Sequence, residues 1–308
     1  MREKPHAAIL SRDDPIEAVA KHLSAQVELL RDLANYGSNL VIRAFDSSPK
    51  QWTEVVTCGV LTKQITAMVD ATEVLLSAGC GHAAFLPART AFEASLYQDW
   101  IFQANSEHRA TCYIVGTYRD KRSWARRITP GTTEAAEFQT VANDFQLDLH
   151  KDRPSLAAEV AAQLADLDRI LATPTMSAVS ALYDKSRRKR PYDPEWYELD
   201  GANSIRDVAK QVGRVHEYDY FYSRGSTIAH TGSYADHLHF ADGQVRMKPI
   251  RHVADVYALI NFIVFTVLRA FRVLLLRYRP GEVNAFTKKY EEDWRSAAMN
   301  VPRINYEW

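Results

Sequence analysis

YDYFYSRGSTIAH, residues Tyr218–His230, is the stretch on which the reading of this chain turns. It sets Arg224 and His230 with five residues between them, and Ser226 four positions before the histidine. Its counterpart lies earlier, at Ala88–Trp100, ARTAFEASLYQDW. There Arg89 and Glu93 stand four apart, a spacing that stacks them on one face of a helix. The remaining sequence reads as apolar helix able to hold these two segments against each other. The expected class is all-α.

Composition narrows the function. The 308 residues carry 38 basic and 38 acidic side chains, so no global field recruits nucleic acid or an anionic membrane. Any such contact has to come from a local patch. Cys58, Cys80 and Cys112 form no C-x-x-C pair, which fits a reducing cytoplasm and disfavours a thiolate metal site. The opening MREKPHAAILSRDD lacks the apolar run of a signal peptide, and the expected location is cytoplasmic. Val256–Leu276, VYALINFIVFTVLRAFRVLLL, is long enough to span a bilayer but contains Arg269 and Arg272. Each arginine costs about 2.5–3.5 kcal/mol at a bilayer centre, so a core helix with its arginines at a polar seam is expected, with no membrane partner.

Working outward, Asp14-Pro15 opens a helix expected to run to about Phe45 with a bend near Gly37, and Ser48-Pro49 opens a second that Gly79 ends. A third runs from about His82 to Gln103, with Pro87 marking a kink or its first turn, and a fourth spans roughly residues 107–126. Two helices follow between Thr132 and Leu171, the second capped by Ser155, and a short one starts at Thr173-Pro174. DKSRRKRPYDPEWYELDGAN has no period and reads as a surface loop or lid. Ser204 caps a short helix before the key one. The Ala-Asp-Gly centre of HLHFADGQVRMKP predicts a β-hairpin. Helices over 253–278 and 282–297 close a single helical domain, divided into an N-terminal arm (1–48), a core (49–250) and C-terminal helices packing on it (251–308).

The two key segments resemble the HEPN superfamily, helical bundles marked by an arginine, four to six residues, then a histidine. Arg224–GSTIA–His230 fits that spacing. The layout is similar to an uncharacterised bacterial branch in which an Arg-x-x-x-Glu helix, here Arg89–Glu93, precedes a Ser-x-x-x-His segment, here Ser226–His230. The run-in SIRDVAKQVGRVHEYDYFYS resembles that branch too, and the likeness covers roughly residues 55–250. One departure is Gly225, where catalytic members commonly place Asn, Asp or His after the arginine. The resemblance implies a HEPN-like bundle with extra helices and one small hairpin. It also implies metal-independent cleavage of RNA, often at a two-fold interface between protomers, in toxins and antiphage defence proteins. It needs no cofactor. His230 would be the acid/base and Arg224 the phosphate ligand. Ser226 would donate a hydrogen bond, Glu93 would orient His230 or Arg224, and Arg89 would be a second phosphate contact or Glu93's partner.

Each of these residues also has a plainer reading. His230 and Ser226 would tie two helices together, and Arg89–Glu93 would be an intrahelical ion pair, because buried polar groups need partners whether or not they act. The alternative function is therefore a non-catalytic scaffold or regulatory subunit that binds a partner protein, such as the product of a neighbouring defence gene, or nucleic acid. A homodimer is expected in the cleavage reading. Two basic runs with nearby aromatics suit RNA: Arg119, Lys121, Arg122, Arg126 and Arg127 around Trp124, and Arg187, Arg188, Lys189 and Arg190 before Tyr192. A solvated helix end or loop explains the same charges. His230, Asp236, His237 and His239 match no metal-ligand spacing, and no metal site is assigned. Walker-type, dinucleotide-binding, zincin and nucleophile-elbow motifs are all missing.

Overall fold

Helix follows helix, as the periodicity predicts. The structure, a computed structural model, describes residues 4–47, 52–146, 155–187 and 192–304. In chain order the elements begin with α1 (Asp13–His22), α2 (Ser24–Ser47), α3 (Trp52–Ser77), α4 (Phe85–Gln103) and α5 (Ser106–Ile128). Next come α6 (Thr133–Asp144), α7 (Leu156–Leu171), α8 (Pro174–Arg187) and α9 (Ile205–Gln211). Helix α10 covers 215–229 and includes a π-helical turn at Tyr218–Tyr222. A hairpin of β1 (Leu238–Ala241) and β2 (Gln244–Met247) leads to α11 (Val256–Tyr278). The last helix, α12, covers 283–299 with a second π-helical turn at Tyr290–Trp294.

The chain divides into two compact units, residues 1–104 with 205–308, and residues 105–204. These boundaries differ from the expected divisions at 48/49 and 250/251. In the first unit α2 packs on α3, α3 on α4, and α11 on α2, α3 and α4. The N-terminal helices are thus part of that unit's wall rather than an arm. The second unit is organised around α5, against which α6, α7, α8 and the 3-10 turn Trp196–Asp200 all pack.

Helix α11 is long and apolar enough by composition to cross a membrane, and it is mostly buried within its unit. Leu259, Ile263, Val267, Phe271 and Leu275 are fully enclosed at helical spacing, the pattern of a core helix. Its arginines reach the seam: Arg269 Nε donates to Asp99 at 2.8 Å, and Arg277 grips Glu54 at 2.7 Å.

Three local expectations shift. The first helix starts at Asp13, with Asp14 and Pro15 inside its first turn. The bend expected near Gly37 falls at Leu23, whose φ of −126° separates α1 from α2. Ser155 holds the N-cap position of α7, but its hydroxyl donates to Glu159 at 2.8 Å instead of accepting from the backbone. Ser48-Pro49 lies outside the described residues.

The hairpin forms where expected. Asp242 and Gly243 both have positive φ, 53° and 71°, as a type I′ turn requires. Phe240 pairs with Val245 and Leu238 with Met247, so all four share one face.

Gly37 has a packing role. A Cβ there would lie 2.5 Å from both Phe271 Cζ and Thr66 Oγ1, so α2 reaches the core only because this position is bare. Gly59 on α3 has open space around it. Gly37→Ala should therefore destabilise the protein by about 1–2 kcal/mol, the overpacking cost exceeding the helix gain. Gly59→Ala should stabilise it by about 0.5–1 kcal/mol. Urea unfolding of the two variants measures both signs.

Candidate functional site

The expected residues lie on α4 and α10, which pack together in the first unit. The contact starts with Arg214, at the foot of α10. Its side chain is fully buried, and its guanidinium donates to Ser95 Oγ at 2.8 Å, Asp99 Oδ2 at 3.0 Å and Glu217 Oε2 at 2.7 Å. The guanidinium carbon lies 4.7 Å from the Phe92 ring centre. One turn of α10 is then π-helical, and its aromatics face both ways. Phe221 stacks on Phe262 of α11 at 4.7 Å, while Tyr222 turns to α4.

Tyr222 occupies the place given to catalysis. Its hydroxyl accepts from Arg89 Nη2 at 2.8 Å and donates to Glu93 Oε2 at 3.0 Å. Glu93 Oε1 accepts a further bond from Tyr97 at 3.1 Å. The Arg89 guanidinium also lies over the Tyr222 ring, 4.6 Å from its centre. Arg89 and Glu93 are therefore bridged through a phenol from α10 and form no direct ion pair among the described residues. Burial, then the adjacent Glu93 charge, pushes the Tyr222 phenol up to about 12, so it stays protonated and able to donate.

Gly225 belongs to this contact. A Cβ there would meet Arg89 Cβ at 2.7 Å, so the bare backbone makes room for the arginine stem. The helix continues through it to Ala229.

Arg224 points elsewhere. Its guanidinium lies 5.1 Å from the Phe85 ring centre and 3.5–3.7 Å from Asp255 and Asp236, long and half-exposed pairs that solvent screens. It lines an open hollow of about 320 Å³ with Tyr220, Ser223, Thr227 and Asp236. His230 is not among the residues lining that hollow. It follows the last turn of α10, exposed, with its backbone N–H bonded to Ser226 O at 3.0 Å. The Ser226 hydroxyl and the His230 ring make no hydrogen bond among the described residues. The five candidates thus separate into Arg89 with Glu93, Arg224 with two aspartates, and Ser226 with His230 at the helix end.

The basic runs fall in the second unit. Arg119, Arg122, Arg126, Arg127 and Arg187 line one polar cleft of about 740 Å³. Arg119 is buried and fully committed to Asp193 (2.7 Å), Asp184 (2.8 Å) and Ser180 (2.7 Å). Arg126 pairs with Glu134 at 3.0 Å and Arg122 with Asp168 at 3.5 Å. Arg127 lies over Trp124, and Arg187 is 4.0 Å from Asp193. Lys121 is exposed and does not line the cleft. Asp120, Glu134, Glu137, Asp193 and Glu195 line the same cleft, so its charges largely cancel. Arg188, Lys189 and Arg190 lie outside the described residues.

Among the described residues no three His, Cys, Asp or Glu side chains converge to hold a metal ion. His237 instead packs edge-on to His82, with ring centres 5.0 Å apart, and His252 lies 6.4 Å from His82. Burial, reinforced by the His82 and Lys248 charges, holds His252 down to about 4.

The residues missed from sequence were Tyr222, Arg214 and Asp99. Tyr222 sits in the aromatic run just before Arg224, and Asp99 is ten residues after Arg89 on the same helix. Residues 54–245 match a family of unknown function, DUF5677. No curated protein and no solved structure matches the chain.

Tyr222→Phe removes the bridge and should cost about 1–2 kcal/mol of stability, whereas His230→Ala should stay within about 0.5 kcal/mol of wild type. Equilibrium denaturation of each variant reads the difference. Acid should also weaken the fold through His252. Its folded pKa is depressed, so this contribution is complete above about pH 6.5 and lost as pH falls towards 4, where only the unfolded chain takes the proton. His252→Asn should flatten that part of the stability–pH curve.

Proposed function

The chain belongs to the DUF5677 family, and from its own geometry we propose that it is a non-catalytic helical scaffold or regulatory subunit that binds a partner protein. The observation that carries this reading is the division of the candidate site. Arg89 Nη2 and Glu93 bond Tyr222, with Arg89 Nε buried and unbonded among the described residues, and the hollow at Arg224 contains no imidazole. An acid/base group has to lie within hydrogen-bond reach of the proton it moves, and a phosphate ligand has to face the same phosphate. Polar groups that satisfy one another across two helices fix the packing instead. The hairpin supports the binding role. Phe240, Val245 and Met247 lie on one face of the hairpin and are 63%, 60% and 72% exposed, an apolar surface of the kind that partners cover.

The second reading is the HEPN-like, metal-independent endoribonuclease of a toxin or antiphage system. It is favoured by Arg224, which opens onto a solvent-reachable hollow, and by the exposed His230 just past the end of the same helix. Six residues at about 100° each put the two on different faces, so a homodimer would have to supply the second group to each site.

One experiment separates these readings. Purified protein is incubated with single-stranded RNA in EDTA, beside Arg224→Ala and His230→Ala. The scaffold reading predicts uncut RNA in all three samples. Cutting by wild type that either substitution abolishes, with the melting temperature unchanged, would overturn it in favour of the ribonuclease.

A further inference from the structure

A second recess of the first unit lies between α11 and α12, away from Tyr222 and outside the family-matched span except for Glu217. It is about 630 Å³, the size of a small-molecule site. Phe265, Leu268, Val273 and Phe286 make its apolar walls, and Tyr290 of the π-helical turn closes one side. Such a surface alone says nothing about what covers it. The charges do.

Arg269 and Arg272 stand at the recess one turn apart. Arg272 is exposed and has no partner among the described residues. Arg269 donates through Nε to Asp99 at 2.8 Å, and its terminal nitrogens make no bond among the described residues. The one carboxylate lining the recess, Glu217, is already held by Arg214 at 2.7 Å. Two guanidinium groups with unused donors therefore border an apolar pocket whose only lining carboxylate already bonds Arg214. An uncharged ligand would leave those exposed donors to water and gain nothing from them. A bare anion would leave the aromatic walls wet.

We propose that this recess binds a small soluble amphipathic anion, an aromatic or short aliphatic body bearing one carboxylate, phosphate or sulfonate. The apolar body lies against Phe265, Leu268 and Phe286, and the anionic head bonds Arg272 and the terminal nitrogens of Arg269. The ligand is a free molecule rather than a membrane lipid, because the apolar residues and both arginines line one recess the size of a small-molecule site. This assignment is independent of the scaffold and ribonuclease readings.

The test uses the full chain and two fluorescent probes with the same aromatic body, 8-anilinonaphthalene-1-sulfonate and the uncharged N-phenyl-1-naphthylamine. Wild type should bind the sulfonate about tenfold more tightly than the neutral probe, the worth of one charge-assisted hydrogen bond. Arg272→Ala should cut that preference to about threefold, the share left to Arg269, with the neutral probe within about twofold of wild type and the melting temperature unchanged, since Arg272 ties nothing together. Thr287→Trp, which fills the mouth from an exposed position, should weaken both probes. Decanoate should displace the sulfonate from wild type. Equal affinity for the two probes, or a preference that Arg272→Ala leaves unchanged, would overturn the proposal. So would flotation of the protein with phosphatidylglycerol vesicles while decanoate fails to compete.

Discussion

A buried guanidinium sets the first unit. The side chain of Arg214 has no exposure to solvent, and taking such a charge out of water costs several kcal/mol unless it is fully met. Asp99, Glu217 and Ser95 meet it, and Phe92 lies against its face. Asp99 also binds Arg269, so one carboxylate on α4 fixes both the start of α10 and the height of α11. Once α10 is anchored at its foot, the π-helical turn decides which aromatics face α4 and which face α11.

The Tyr222 bridge extends that arrangement along the same helix. Arg89, Phe92, Glu93, Ser95 and Asp99 recur on α4 at intervals of one to four residues, and each touches α10 or Arg214 at its foot. This is a polar seam in which most acceptors and donors of one helix are answered by the other, Arg89 Nε being the exception among the described residues. Such seams specify a single packing, because sliding by one turn would leave several charges without partners. The residue types of a phosphate-cleaving site and of a seam are the same; which atoms they face distinguishes them. Here the Arg89 and Glu93 side chains face a phenol.

Much of the fold is legible in the sequence, and the reason is periodicity. The apolar stripe of α11, Gly79 after α3 and the Asp-Gly hairpin turn are local signals with local outcomes. The break at Leu23 was not legible, because Gly37 looked like the weak point and its role is to admit Phe271 from a helix more than two hundred residues away. The site was half legible. The four-residue spacing placed Arg89 and Glu93 together, but a π-helical turn has no signature at a period of 3.6, so Tyr222 could not be assigned to that pair. Gly225 looked like an interruption of the motif. It is where Arg89 passes under the backbone. The first basic run was legible as charge, and the acids that hold its Arg119, Asp184 and Asp193, come from residues far along the chain.

The most direct test of a structural seam is energetic coupling across it. A double-mutant cycle on Tyr222→Phe and Glu93→Gln, read by equilibrium unfolding, should return a coupling of at least about 1 kcal/mol, as expected for groups sharing one buried hydrogen bond. Strictly additive changes, each near zero, would contradict the account and leave Glu93 available for chemistry.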